Sequence, residues 1–308
     1  MTDILVSICC STYNQKNFIH HAIDGFLMQR APFKFEILIH DDGSKDGTVE
    51  ILREYAKKHK DIIKLVLQPE NRWKERMLKG QAFGYEPLCE CLFPLAKGKY
   101  LALCEGDDYW TDPNKLAVQV EYMENHPEHS MSYHRVDLVY DNGQREVFDP
   151  QKTNGRDFTS SEMAATPPGI ATAFKMLRNY YSEATKSLYE FASGDYLMTA
   201  YYSTFGSCGY ISGIKPSIYR VHAGGVWSGL SFENKVKVVK RLNLRIYELF
   251  KKTGNKEFIE IWRKVMADTR SFGIVIPIFQ RDDGKSPYYL KRCLESVYKQ
   301  RYQGFDIS

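Results

Sequence analysis

The chain has 308 residues, 43% of them hydrophobic, with 42 basic and 38 acidic residues and a formal net charge of +4. That length and apolar content suit one large domain or two ordinary ones with a real core, and so even a charge balance gives no reason to expect a nucleic-acid partner. Met1 to Cys10 lacks a basic leader, and no apolar run approaches the roughly 20 residues of a membrane helix, so the expectation is a soluble, cytoplasmic protein.

Seven cysteines, Cys9, Cys10, Cys89, Cys91, Cys104, Cys208 and Cys293, are an odd number without C-x-x-C spacing. Several lie in apolar runs, and the pair Cys89-x-Cys91 is too little for a zinc site. Reduced, buried thiols are expected.

In chain order, Ile4 to Ser11 reads as a buried strand. The turn Thr12-Tyr13-Asn14 leads to a helix whose apolar positions Phe18, Ile19, Ala22, Ile23, Phe26 and Leu27 recur at helical spacing. The turn has no glycine, so it cannot cradle phosphate as a glycine-rich loop does. Phe35 to His40 is a second strand that runs into Asp41-Asp42-Gly43-Ser44, and a helix follows over about 46–58. Two adjacent acids there suit imide and hydroxyl donors such as uracil N–H and ribose O–H, although a turn and helix cap explains them as well. Ile62 to Leu67 is the third strand. Strands alternating with helices imply a mainly parallel sheet, a Rossmann-like α/β fold with helices on both faces and ligands beyond the carboxyl ends of the strands.

A basic loop over 69–83 carries Arg72, Lys74, Arg76 and Lys79. At most one or two of these, Lys79 among them, are expected to meet a diphosphate, since most such charges are simply solvated. A helix follows at Pro87 to Ala96. Tyr100 to Cys104 is then a strand that ends in Glu105, Gly106, Asp107 and Asp108, three carboxylates around a glycine. Acids so placed repel one another unless donors or a cation face them, and Mg2+ or Mn2+ is the natural partner. A solvated acidic turn before the helix that opens near Pro113 is the plainer explanation.

Beyond that helix, Met131 to Tyr140 reads as an antiparallel strand, and 141–168 as an excursion over the sheet where an acceptor can dock. Ile170 to Met176 is expected to be a strand, followed by helix to about Ser193. Asp195 opens a further apolar helix as a cap, a base, or both. Ile218 to His222 is a strand ending in an imidazole, placed to complete a metal site begun by Asp107. Helical patterns rich in Lys and Arg cover 233–266, either packed on the domain or touching an anionic membrane surface. Phe272 to Ser308 repeats the pattern of the chain's own beginning, strand, helix and the start of a second strand.

Together, Ser11-Thr12-Tyr13-Asn14, Asp41-Asp42-Gly43-Ser44, the 98–110 segment around Glu105-Gly106-Asp107-Asp108, Gly194-Asp195 and the 219–228 segment around His222 resemble family 2 glycosyltransferases of the GT-A fold. The resemblance covers about 1–230, leaving 231–271 as a helical extension and 272–308 as the start of a second such module. It implies inverting transfer of a sugar from a nucleotide-sugar donor, most often a UDP-sugar, to a glycan or lipid-linked glycan of a bacterial surface polysaccharide. It places Ser11, Thr12, Tyr13, Asn14, Asp41 and Asp42 around the nucleoside. Glu105 takes the ribose position of the D-x-D motif, with a longer reach than the commoner aspartate, and Gly106 and Asp108 line the donor. Asp107 and His222 hold Mn2+ or Mg2+, and Asp195 is the base. A sugar nucleotidyltransferase or a catalytically silent nucleotide-sugar-binding module are the competing readings.

Overall fold

In a computed structural model of the chain, residues 4–73, 75, 87–148, 155–167, 170, 172–182, 185–186, 195–222 and 232–271 are described, the side chains of the last stretch only over 242–266. Backbone contacts divide the chain into Met1–Met266 and Ala267–Ser308. The expected second module over 272–308 lies outside the described residues.

β1 (Val6–Thr12), β2 (Phe35–Asp41) and β4 (Tyr100–Glu105) are buried along nearly their whole length instead of alternating, the pattern of strands covered on both faces. They pair in parallel at the centre of a seven-stranded sheet with the order β3-β2-β1-β4-β8-β5-β9, where β3 is Ile63–Leu67, β5 His129–His134, β8 Met176–Arg178 and β9 Ser207–Ile211. β8 alone runs against its neighbours β4 and β5. A second sheet sets β6 (Val136–Tyr140) between β10 (Ser217–Val221) and β7 (Arg145–Val147).

Helices α1 (Ile19–Leu27), α2 (Thr48–Lys58), α3 (Lys115–Asn125), α4 (Ser160–Ala165) and α5 (Asp195–Tyr202) pack around the main sheet, and α6 (Phe232–Thr253) and α7 (Lys256–Ser271) follow. α1 shows why: Ile19, Ala22, Ile23 and Phe26 fall on one stripe and are fully buried. Each large side chain of that kind contributes about 1.5–3 kcal/mol by leaving water. Phe26 meets Trp110 edge-on at 4.8 Å between centroids, which seats the segment after the acid turn against α1. In α6 and α7, Ile246, Leu249, Phe250, Phe258 and Trp262 are buried, and Trp262 Nε1 donates to Ala164 O at 2.6 Å. At least that part of the basic helical region packs on the domain.

Three expectations change. Met131 to Tyr140 is two strands, because Arg135 gives its carbonyl to Ser217 N (3.2 Å) and the chain crosses from the main sheet to the second. Pro87 to Ala96 is a π turn (Leu88–Leu92) and a 3₁₀ turn (Phe93–Leu95), not an α-helix. Thr172–Phe174 is a 3₁₀ turn, and the strand begins only at Met176, where it was expected to end, and runs to Arg178, into the stretch expected to be helix. The indole of Trp110 donates to Ala173 O at 2.7 Å, so a tertiary bond captures that stretch against its local strand preference.

Candidate active site

The parallel register places Thr12 beside Asp41 and Ser11 beside Glu105, so the ends of β1, β2 and β4 meet at one edge of the sheet. β10 reaches the same place through a two-bond bridge between Tyr109 and Ile218, with N–H to O distances of 3.1 and 2.9 Å. Polar groups more than a hundred residues apart in the chain are thereby brought to one crevice.

On one side of it, the loops after β1 and β2 are tied together. Asn14, in a left-handed conformation (φ 51°) that its short polar side chain tolerates, accepts from Lys45 N at 2.9 Å through Oδ1 and donates its own N–H to Ser44 Oγ at 2.8 Å. Ser44 in turn donates N–H to Asp41 at 2.8 Å and its hydroxyl to the same carboxylate. Asp42 accepts from Arg72 N and Trp73 N, both at 3.1 Å. Thr12 Oγ1 donates to Gln15 Oε1 at 2.6 Å, while Tyr13 is 42% exposed. Burial pushes the Asp41 carboxyl up, against the pull of its bonds to Ser44. Lys79, the expected diphosphate contact, lies outside the described residues.

On the other side, Glu105, Asp107 and Asp108 each bring one carboxylate oxygen within 4.8 Å of the others. A Cβ on Gly106 would lie 2.9 Å from both Ile19 Cδ1 and Thr12 Cβ, so only glycine lets the acid turn pass so close to the β1 loop. His222 Nε2 is 3.1 Å from Asp107 Oδ2. That bond, followed by the opposing effect of burial, raises the imidazole's affinity for a proton. Asp108 is 1% exposed, accepting Arg220 N at 3.0 Å through Oδ1 while Oδ2 has no partner among the described residues. Burial first, and the charge of Asp107 next, push its carboxyl well above the usual range. The Arg220 guanidinium lies over Tyr109 (4.4 Å) and Phe18 (5.1 Å) and donates to Asp107 O.

These residues fit a hard divalent cation. Crowded carboxylates, a buried oxygen without a donor and an imidazole at their rim form the oxygen-rich donor set that Mn2+ or Mg2+ takes. Neighbouring ligands on one octahedral ion stand about 3 Å apart, as Asp107 and His222 do. A second group, His126, Glu128 and His129, also lies within 4.8 Å, but at the opposite edge of the sheet, with its ring nitrogens bonded to Glu128, Ser207 and Tyr122.

Asp195, at the start of α5, lies near enough for its charge to add to the upward push on Asp108 and on Tyr219. Its Oδ1 accepts from Thr172 Oγ1 at 2.7 Å and from the ammonium of Lys175 at 2.7 Å. Lys175 is fully buried and Asp195 is 40% exposed. The structure brings Glu105, Asp107, Asp108 and His222 together and sets Lys175 and Thr172 against Asp195, Gln15 against Thr12 and Arg220 against Asp107, four partners that sequence reasoning did not single out. Lys175 sits in an apolar run that carries no sign of its partner, whereas Arg220, two residues before His222, was open to notice.

Residues 7–188 match the family described as Glycosyl transferase family 2. The chain belongs to that family. The chain is 37% identical over 160 residues to an uncharacterized protein of Mycobacterium tuberculosis, a match covering 52% of the chain and 43% of the relative. It is 33% identical over 120 residues to a UDP-Glc:alpha-D-GlcNAc-diphosphoundecaprenol beta-1,3-glucosyltransferase of Escherichia coli, over 39% of the chain and 41% of the relative. The matched segments therefore span less than half the length of these relatives. Among solved structures, S. aureus TarS 1-349 with UDP-GlcNAc superposes with a TM-score of 0.56 at 17% identity, covering 79% of this chain and 66% of that one. A Pyrobaculum calidifontis mannosyltransferase with GDP-Man and Mn2+ does so with a TM-score of 0.52 at 15% identity, over 97% and 81%. The fold is GT-A. No helix among the described residues is long and apolar enough to cross a membrane.

Proposed function

We propose that this glycosyltransferase moves a sugar, with inversion, from a UDP-sugar to a hydroxyl of a glycan or lipid-linked glycan acceptor in surface polysaccharide synthesis. The observation that carries the reading is Asp107 and His222 standing 3.1 Å apart beside an Asp108 oxygen that has no partner among the described residues, with Asp195 near enough for its charge to reach Asp108. Asp107 and His222 hold the divalent ion, and Glu105 meets the ribose. When bound, that ion stabilises the negative charge that grows on the leaving diphosphate. Ser11, Thr12, Tyr13, Asn14 and Asp41 shape the nucleoside pocket. Asp42 supports it indirectly, through the backbone of residues 72–73. Asp195 takes the acceptor hydroxyl proton while that oxygen attacks the anomeric carbon from the face opposite the diphosphate. As the new C–O bond forms, the old one breaks and its electron pair leaves with the nucleoside diphosphate.

The acceptor class rests on the E. coli relative, whose name specifies a lipid-diphosphate acceptor. A cytoplasmic protein held at the membrane surface by the Lys- and Arg-rich sequence over 233–266 fits such an acceptor. A thermal-shift panel of nucleotide sugars with and without Mn2+ tests the donor half, because a ligand bound only by the native state raises its melting temperature. UDP-sugars stabilising the protein only when Mn2+ is present is the expected result. Equal shifts without metal, or none with any sugar nucleotide, would refute it.

A further inference from the structure

We propose that Lys175 and Thr172 are positioning residues that clamp one oxygen of Asp195 and leave the other to act on the acceptor. The inference rests on the reading of Asp195 as the base. Both donors converge on Oδ1, each at 2.7 Å, although a carboxylate offers two oxygens and about four lone-pair directions. An ordinary buried ion pair would have no reason to concentrate both bonds on one atom. Nor is Asp195 tied to its own helix through its side chain; instead its carbonyl accepts from Thr199 Oγ1 at 2.8 Å and from the Lys175 ammonium at 3.3 Å.

The clamp is rigid and connects to the acid turn. Thr172 and Lys175 bracket the 3₁₀ turn, which Trp110 pins through Ala173 O, and Lys175 O accepts from Leu103 N of β4 at 3.2 Å. β4 ends at Glu105, so the strand that presents the acid turn is bonded directly to the residue that holds the base. Burying an ammonium is costly unless it is paired, and Asp195 is the carboxylate that Lys175 pairs with. This is a costly device for helix capping and a sensible one for fixing a proton acceptor relative to the donor's anomeric carbon. In the transfer step the acceptor O–H bond breaks, its proton goes to the Oδ2 of Asp195, and the oxygen's electron pair makes the glycosidic bond. The proton then returns to solvent through the exposed side of the carboxylate.

The test compares Lys175→Met, Lys175→Arg, Thr172→Val and Asp195→Asn in UDP-sugar hydrolysis and transfer with Mn2+. UDP affinity is measured by calorimetry, and folding by thermal melting. Lys175→Met is expected to lower kcat by up to about 100-fold, the cost of misplacing a reacting group by roughly 1 Å, with UDP affinity unchanged. Lys175→Arg should restore part of the rate, and Thr172→Val should show a smaller loss of kcat alone. A Lys175→Met enzyme with the wild-type kcat overturns the proposal, as does one whose UDP affinity falls in step with kcat. If Lys175→Met shows no cooperative melt, Thr172→Val decides: a kcat loss at constant UDP affinity supports the clamp and no loss overturns it. Wild-type turnover in Asp195→Asn removes the base assignment and the clamp with it, whereas an inactive Asp195→Asn beside a fully active Lys175→Met removes the clamp alone.

Discussion

Asp41 and Asp42 stand at the end of one buried strand, and Glu105, Asp107 and Asp108 at the end of another two places along the same sheet, yet the two sets of acids are held in different ways. Asp41 and Asp42 accept backbone N–H groups from Ser44, Arg72 and Trp73, so their charge is used within the fold to shape a rigid pocket. The acids of the turn crowd one another within 4.8 Å, with an oxygen on Asp108 that has no partner among the described residues and an imidazole in contact with Asp107. The first arrangement is complete as it stands, while the second keeps a repulsion that a cation relieves. A binding wall and a charge-handling wall can therefore be told apart by what already satisfies their carboxylates.

Substitutions can break that distinction or sharpen it. Asp195→Asn, which keeps the shape and removes the proton acceptor, should lower transfer by about 10²–10⁴-fold, read as kcat, with UDP affinity intact. Asp107→Asn should weaken Mn2+ binding by more than about 100-fold, since loss of even a supporting partner of a metal ligand costs 10–100-fold. A calorimetric titration that finds Mn2+ affinity unchanged would move the metal elsewhere. On the other wall, Asp42→Ala should leave Mn2+ affinity alone but destabilise the fold by about 1–3 kcal/mol, because two backbone N–H groups lose their acceptor; urea unfolding measures it. Tyr13→Ala removes an exposed ring suited to stacking on a base and should cost about 1–3 kcal/mol of UDP affinity without touching the metal.

The smallest effect is a pH dependence. Asp107 raises the proton affinity of His222 in the folded state. In metal-free protein the stability this contributes is fully present below the ordinary imidazole value of about 6.5 and is lost as pH rises through the higher folded value. The melting-temperature advantage of wild type over His222→Gln should therefore be larger near pH 6 than near pH 9, as estimated from the imidazole value. With Mn2+ the trend should reverse, because a metal must displace that proton. A difference that does not vary with pH would mean that the two side chains do not share charge.

Much of this was legible in the sequence because it is local. Alternating strands and helices set the parallel sheet, and acids directly after His40 and Cys104 had to fall at its carboxyl edge. His222 was legible for the same reason, at the end of β10. What escaped depends on partners far away in the chain. Arg135 divides one apolar stretch into two strands because its carbonyl bonds to Ser217, and nothing near Arg135 announces it. Lys175 reads as a stray charge in an apolar run until Leu103, Trp110 and Asp195 are set around it. The two N–H groups that Asp42 accepts come from Arg72 and Trp73, in a loop whose path the sequence does not set.

Anomalous diffraction from crystals soaked in Mn2+ and UDP tests the central claim most directly. The account predicts one manganese peak roughly 2–2.5 Å from both Asp107 Oδ2 and His222 Nε2, with the diphosphate on its far side and Asp195 facing the vacant sugar position. A peak bound away from Asp107 and His222, or UDP seated in the crevice with no metal beside those two residues, would contradict it.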